Sequence, residues 1–181
     1  VGLHTYVDPR LGGGKGNEAT KEDIVKHVEV EGEEWLFFPT IAPHVSIIRA
    51  TTADERGNLT FEQEGAYLGA MELALAAHNN GGIVIAQVRT IAENETIKPH
   101  QVRVPGILVD YIVEAPDQWQ TTQTPYDPTI SGEVFKPISS FALMDFGTGK
   151  AIARRVAQEL KKGWAVNLGF GVSANVPRIF I

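Results

Sequence analysis

Apolar and polar positions alternate near the start of the chain at residues 24–30, and a short apolar stretch follows at residues 35–38. The period of two predicts a β-strand with one face buried, and the short apolar stretch predicts a second strand. Residues 31–33 (Glu-Gly-Glu) lie between them and predict a tight turn. The pattern therefore predicts an antiparallel hairpin.

Short apolar runs bounded by turn residues predict further, buried strands, at residues 45–48, 83–88, 107–113 and 164–168. Two helices are predicted: residues 62–79, rich in Ala and Leu, and residues 149–162, with an apolar stripe through Ile152, Val156 and Leu160. A helix followed by a buried strand is typical of α/β proteins. We therefore expect an α/β fold with an open, mixed but mainly parallel sheet flanked by helices.

Residues 117–137 are rich in Gln, Thr, Pro and Asp and lack any periodicity. Such a stretch predicts a linker or a long excursion. We expect residues 1–116 to form part of a first domain and residues 142–181 to begin a second domain. Residues 117–141 are expected to form a linker or a long excursion between them.

Composition narrows the possible functions. The 181 residues include no Cys, which excludes disulfides, thiolate zinc sites and a cysteine nucleophile. The net charge of −6 argues against a nucleic-acid partner. No apolar run approaches the ~20 residues that span a bilayer, and no secretory signal is visible. We expect a cytoplasmic protein without a membrane partner.

Gly169 and Gly171 stand in a G-x-G-x-x-A motif after a predicted strand. A dinucleotide site would need a helix here, and Pro177 interrupts it. We interpret the two glycines as allowing close backbone approach to a ligand or to a neighbouring strand. Residues 147–150 (Gly-Thr-Gly-Lys) lack the other positions of a phosphate-binding loop.

Other chemistry-bearing residues give no pattern. The five His are scattered, so no metal site is predicted, and no Ser lies in a G-x-S-x-G elbow. Glu62, Glu64 and Glu72 fall on or near the first predicted helix. Carboxylates near a helix N-terminus stabilise its dipole, and we prefer this interpretation of Glu62 and Glu64 to catalysis. Residue patterns alone predict an α/β domain of unassigned function.

Four segments resemble class I coenzyme A transferases, in particular the fused acetate or propionate type. They are residues 2–15 (GLHTYVDPRLGGGK), 50–58 (ATTADERGN), 104–111 (VPGILVDY), and 153–171, which runs from ARR to WAVNLGFG. They occur in the family's order and span nearly the whole chain. One departure is that Pro177 falls later than the family's proline after the second glycine.

The resemblance implies the fold shared by coenzyme A transferases and sugar-phosphate isomerases. It also implies an acyl-CoA:carboxylate transferase that moves coenzyme A between short-chain acids through a glutamyl-CoA thioester. The nucleophilic glutamate is expected beyond Ile181, so this segment is expected to be inactive alone. The resemblance points to Gly169 and Gly171 as substrate-binding residues. It implies coenzyme A as a substrate, with no separate cofactor, and a homo-oligomer.

Alternatives remain open on the same sequence. One is a CoA-ester hydrolase or the transferase subunit of a citrate lyase, both on the same fold. The other is a non-catalytic scaffold or assembly domain. None of the four segments is expected in a sugar-phosphate isomerase.

Overall fold

The computed structural model describes residues 18–19, 21–169 and 171–179. The strands in these residues are β1 (Lys26–Val30), β2 (Glu33–Phe37), β3 (Val45–Arg49), β4 (Thr52–Asp54), β5 (Leu59–Thr60), β6 (Ile83–Val88), β7 (Thr90–Ala92) and β8 (Tyr111–Glu114). The α-helices are α1 (Ala70–Asn79) and α2 (Thr148–Ala157). The chain divides into two compact units, Val1–Trp119 and Gln120–Ile181. The first of the four family-like segments, residues 2–15, lies outside the described residues, as does Phe170.

The described strands of the first unit form three small sheets. β1 and β2 pair antiparallel, as predicted, through a turn in which Glu31 (φ 54°) and Gly32 (φ 81°) both have positive φ. This is the turn geometry that matches the twist of a two-stranded ribbon. A parallel sheet has the order β3-β6-β8, and a mixed sheet has the order β5-β4-β7. The expected α/β class with mixed strand directions is confirmed, although the strands are spread over three sheets.

The core lies between α1 and one face of the parallel sheet. Ala70, Ala74 and Ala77 recur at helical spacing and are buried, in one cluster with Val84 and Val88 of β6. Small side chains let the helix approach the sheet closely, since packing is tight only where volumes match.

A second feature of the first unit is the junction between the turn after β4 and the segment before β8. Gly106 lies so close to this turn that a Cβ at that position would be 2.0 Å from the carbonyl oxygen of Arg56. The backbone N–H of Gly106 donates to Asn58 Oδ1 (2.9 Å). Asn58 Nδ2 in turn donates to Asp54 Oδ2 (2.8 Å). Only glycine allows this approach.

Asp54 anchors the turn itself. Its buried carboxylate accepts hydrogen bonds from the backbone N–H groups of Arg56 (3.0 Å) and Asn58 (2.9 Å). Gly57 has φ 85°, a conformation that glycine adopts without strain. Residues 54–58 therefore form a turn in which a carboxylate accepts hydrogen bonds from backbone N–H groups that have no other partner in the turn.

The first predicted helix was too long, because residues 62–69 are not helical. Leu68 (φ 49°) and Gly69 (φ 71°) have left-handed conformations immediately before α1. Upstream, the backbone N–H of Gln63 donates to Thr51 Oγ1 (3.0 Å). This tertiary contact fixes the segment in place of the helix that its Ala and Leu content favours. The predicted helix end is confirmed at Asn79.

Three other predicted elements also differ. Within 107–113, Gly106–Leu108 forms a 3-10 turn and the strand begins only at Tyr111. The second helix ends at Ala157 and not at Lys162, since the following hydrogen bonds span three residues instead of four. Residues 164–168 are not a strand. They pair with no other strand among the described residues, and an apolar run needs such a partner to become one.

The second unit contains α2 and a long polar loop organised by Asp127. Asp127 accepts hydrogen bonds from Lys136 Nζ (2.7 Å) and from the hydroxyl (2.7 Å) and backbone N–H (2.9 Å) of Thr129. The Lys136 and Thr129 contacts lower the pKa of Asp127 from 3.8 to about 2. Residues 117–137 contain no helix or strand, but the loop has an ordered set of hydrogen bonds. The boundaries expected from the sequence, at residues 116 and 141, stay a prediction.

We predict that Gly106→Ser destabilises the natural protein by about 3 kcal/mol, because the added atoms overlap backbone that cannot move independently. Gly147→Ser is the matched control: a Cβ at Gly147 meets nothing within 4 Å, and serine suits its position before α2. Chemical denaturation measures both variants. Equal midpoints would contradict the tight junction.

Candidate functional site

The carboxyl ends of parallel strands are where open α/β sheets bind ligands. In the β3-β6-β8 sheet this edge carries polar side chains. Arg49 is the last residue of β3, Gln87 lies one residue before the end of β6, and Arg89 follows β6.

Arg49 forms an ion pair with Glu64. Its Nε and Nη2 atoms donate to Glu64 Oε2 at 2.9 and 2.6 Å. Only 6% of the Glu64 side chain is exposed, against 34% for Arg49. A carboxylate this deeply buried is costly unless it is paired, so Arg49 is what allows Glu64 to lie here.

The same side chains hold the segment that follows β8. Arg49 Nη1 donates to the carbonyl of Trp119 (2.7 Å), and Arg89 Nη2 donates to the carbonyl of Gln118 (2.8 Å). The buried Gln118 side chain donates to the carbonyl of Ala50 (2.8 Å) and accepts from Gln87 Nε2 (3.0 Å). These hydrogen bonds therefore hold residues 116–119 against the carboxyl edge of the sheet.

These contacts define what the edge can do chemically. Both guanidinium groups donate to protein oxygens, and Glu64 is ion-paired. Such groups hold backbone in a fixed geometry, as a binding site requires. Glu64 therefore holds the Arg49 guanidinium in place and is poorly suited to be a nucleophile.

A separate open cleft of about 570 Å³ lies beside β4 and β5. Its wall includes Glu62, whose carboxylate accepts hydrogen bonds from the hydroxyls of Thr52 and Thr60, both at 2.5 Å. Arg103 lies over the Tyr67 ring, 4.8 Å from its centre. The size is that of a small-molecule site.

The structure changes the interpretation of the three glutamates. Glu62 and Glu64 lie before α1 and do not flank its N-terminus, so the helix-dipole interpretation is wrong for both. They are held by threonine hydroxyls and by Arg49, respectively. Glu72 does lie in the first turn of α1, where a carboxylate favours the dipole.

Gly169 and Gly171 lie in the second unit. The Gly169 carbonyl accepts from Ser173 Oγ (3.1 Å), and the Gly171 carbonyl accepts from the N–H of Ala174 (3.1 Å). Among described residues, nothing lies within 4 Å of a Cβ placed on Gly171. Close packing against a neighbouring strand is therefore not observed at Gly171, and the substrate-binding role stays a prediction.

Among the described residues, no three His, Asp or Glu side chains come together in a way that could hold a metal ion. None of the helices in this part of the chain is long and apolar enough to cross a membrane.

Sequence reasoning missed the network of Arg49, Glu64, Gln87, Arg89 and Gln118. One signal was available: Arg49 and Arg89 each follow a buried apolar run, where a parallel strand ends. Gln118 gave no signal, because it lies 68 residues from Ala50 and in a stretch without periodicity.

Comparison with known proteins assigns the chain to one protein family. The sequence profile described as "Coenzyme A transferase" matches residues 1–115. Caffeate CoA-transferase of Acetobacterium woodii is 48% identical over 99% of the chain, and acetate CoA-transferase YdiF of Escherichia coli K12 is 44% identical over 97%. The chain belongs to the coenzyme A transferase family.

Solved structures agree with this assignment. The acyl-CoA transferase YdiF of Escherichia coli O157:H7, in a thioester complex with CoA, has a TM-score of 0.78 and 44% identity over 97% of this chain. Its apoenzyme has a TM-score of 0.77. The chain spans about a third of the length of these relatives, 35% of the caffeate enzyme and 33% of the K12 acetate enzyme.

We predict that Arg49→Met lowers the free energy of unfolding of the natural protein by about 2 kcal/mol, because it leaves the buried Glu64 carboxylate unpaired. The expected loss of unfolding free energy is smaller than for a fully buried ion pair, because Arg49 is partly exposed. Denaturant titration measures the loss.

Arg155→Met is the control for this variant. Arg155 pairs with Glu159, and both side chains are about two-thirds exposed, so its loss should cost under about 0.5 kcal/mol. The double variant Arg49→Met with Glu64→Met should recover part of the stability. If Arg49→Met cost no more than Arg155→Met, the anchoring role of Arg49 would be refuted.

Proposed function

We propose that the natural protein is an acyl-CoA:carboxylate CoA-transferase that acts on short-chain carboxylic acids. The observation that carries this proposal is the likeness, over 97% of this chain, to an acyl-CoA transferase solved as a thioester complex with CoA. The names of the relatives add support, since both the acetate and the caffeate enzymes transfer CoA to or from a carboxylic acid.

The proposed reaction proceeds by nucleophilic catalysis. A glutamate carboxylate attacks the thioester carbonyl of acyl-CoA and expels the CoA thiolate, which leaves a mixed anhydride. The thiolate then attacks the glutamyl carbonyl of this anhydride, releases the first carboxylate and forms a glutamyl-CoA thioester. An acceptor carboxylate reverses the two steps and leaves as the new acyl-CoA.

We place the nucleophile outside residues 1–181. This proposal is supported by the contacts of three glutamates inside the segment, which already have protein partners. Glu64 is ion-paired with Arg49, and Glu114 Oε1 accepts a hydrogen bond from the N–H of Ile91 (3.1 Å). Glu62 is held between two threonine hydroxyls. The proposed contribution of this segment is a rigid framework and backbone donors for the oxyanions that form at the carbonyl.

Coenzyme A is a substrate in this proposal, and no separate cofactor takes part. We also propose a cytoplasmic homo-oligomer. The support is the resemblance to this family, and the absence of cysteine from the 181 residues is compatible with a reducing compartment. Analytical ultracentrifugation of the purified natural protein tests the oligomer, and a single species at the monomer mass would refute it.

We predict that acyl-CoA converts the natural protein to a covalent CoA adduct on a glutamate outside residues 1–181. Peptide mass spectrometry locates the adduct, and hydroxylamine should release it because thioesters react with this nucleophile. Glu62→Gln and Glu114→Gln should keep the adduct. Its absence in the unmodified protein would refute the mechanism, and an adduct on either of these residues would refute the location.

Product analysis distinguishes the transferase from a hydrolase. A transferase should form a new acyl-CoA when an acceptor acid such as acetate is present. A hydrolase should release free CoA at the same rate with or without the acceptor.

We predict that Gly171→Ser raises the KM for acyl-CoA about tenfold, equivalent to about 1.4 kcal/mol, with little change in thermal stability. The reason is that a Cβ at Gly171 meets no described atom within 4 Å, so the substitution disturbs no packing among the described residues and tests the proposed ligand contact. Gly147→Ser, in the same unit and equally open, is the control. An equal KM in both variants would refute a role for Gly171 in substrate binding.

A further inference from the structure

The floor of the open cleft beside β4 and β5 is one face of the β5-β4-β7 sheet. Thr52 of β4 is in register with Thr60 of β5. Leu59 bridges Val104 in an antiparallel pair, and the N–H of Arg103 donates to the carbonyl of Leu59 (2.8 Å). Arg103 therefore lies opposite Thr60, and residues directly opposite each other have their side chains on the same face. The floor is thus a row of two threonines and one arginine.

Arg103 is held in this row by an aromatic pair. Its guanidinium lies over the Tyr67 ring, 4.8 Å from the ring centre. The Tyr67 ring meets the buried Phe61 ring edge-on, with 5.6 Å between centres and 83° between planes. Stacking orients a guanidinium without using its N–H donors. Among the described residues, the Arg103 side chain donates to no protein oxygen.

The carboxylate on the same wall does not neutralise Arg103. Glu62 is exposed and lines the cleft together with Arg103, but no ion pair joins the two in the described part of the chain. Glu62 Oε1 accepts from the Thr52 hydroxyl and Oε2 from the Thr60 hydroxyl, both at 2.5 Å. Because each oxygen of Glu62 has its own hydroxyl partner, the guanidinium keeps its capacity to bind an anion from outside.

These contacts restrict the charge and the shape of a ligand. A guanidinium binds a carboxylate through two parallel N–H···O bonds. Glu62 repels a second negative charge in the same cleft, which favours a monoanion over a phosphate dianion. Ala92 and Ile97 add apolar surface to the lining, and this surface suits an apolar body beside the acid group. The cleft volume of about 570 Å³ admits a small molecule of this kind.

We propose that this cleft is a binding site for a small organic monocarboxylate. The acid group of the ligand pairs with the Arg103 guanidinium, and its apolar body contacts Ala92 and Ile97. The proposal concerns binding alone and does not rest on the transferase reaction, so each of the two proposals can fail without the other.

The first test measures the Kd of phenylacetate by calorimetric titration of the natural protein, without CoA. Arg103→Met should raise this Kd about tenfold, because the charge-assisted hydrogen bonds to the acid group are lost. Phenylacetamide, the neutral counterpart of the probe, should also bind about tenfold more weakly.

Arg56→Met is the matched control for this titration. Arg56 is in the same unit, and its side chain is 67% exposed and lies 3.7 Å from Glu95, outside the cleft lining. Its loss should leave the Kd of phenylacetate unchanged. The proposal would be overturned if phenylacetate did not bind, or if Arg103→Met bound it as well as the natural protein does, since the acid would then bind elsewhere.

Arginine modification tests the same contact in the unaltered protein and does not depend on the folding of a variant. Phenylglyoxal reacts with accessible guanidinium groups, and peptide mass spectrometry follows Arg103 and Arg56 separately. Phenylacetate at about three times its Kd should slow the modification of Arg103 about fourfold, as mass action requires, and leave the rate at Arg56 unchanged. Equal slowing at both residues, no slowing at Arg103, or an Arg103 that is unreactive without the acid would each overturn the proposal.

Discussion

The contact between Gly106 and the turn at residues 54–58 determines how the first unit is assembled. Asn58 links two segments about fifty residues apart, by accepting from the Gly106 N–H and donating to Asp54. Beside it, the N–H of Leu59 donates to the carbonyl of Val104 (2.9 Å). The junction fixes the approach to β8, and it brings the buried side chains of Val104 and Leu108 into the core. A close backbone approach of this kind tolerates no side chain, because interiors have little free volume.

This geometry explains why two of the family-like segments have the residues they have. Residues 50–58 supply the carboxylate, the left-handed glycine and the amide of the turn. Residues 104–111 supply Gly106 and also Asp110, whose Oδ2 accepts from the N–H of Val84 in β6 (2.8 Å). Asp110 thereby aligns β8 with the parallel sheet. Both segments maintain the framework, and a motif that identifies the family need not touch its substrate.

Elements whose contacts are local could be predicted from the sequence, and elements fixed by distant contacts could not. β6 is apolar except for Gln87 and matches its predicted limits, since β-branched residues and burial act in the same direction there. Residues 62–69 have helical composition, but the Thr51 hydroxyl and Arg49 hold Gln63 and Glu64 in another conformation. The candidate site depends on Gln118, whose partners are far away in the sequence. No local pattern encodes such a contact.

The polar network connects the carboxyl edge of the parallel sheet to the segment after β8. Val45, Ile47 and Arg49 alternate on β3, so Arg49 lies on the face of the sheet that is turned away from α1. Its guanidinium donates there both to the Glu64 carboxylate and to the carbonyl of Trp119. Charge-assisted hydrogen bonds are stronger where the local dielectric is low, and only 6% of the Glu64 side chain is exposed. The burial of Glu64 and the position of residues 116–119 therefore depend on the same arginine.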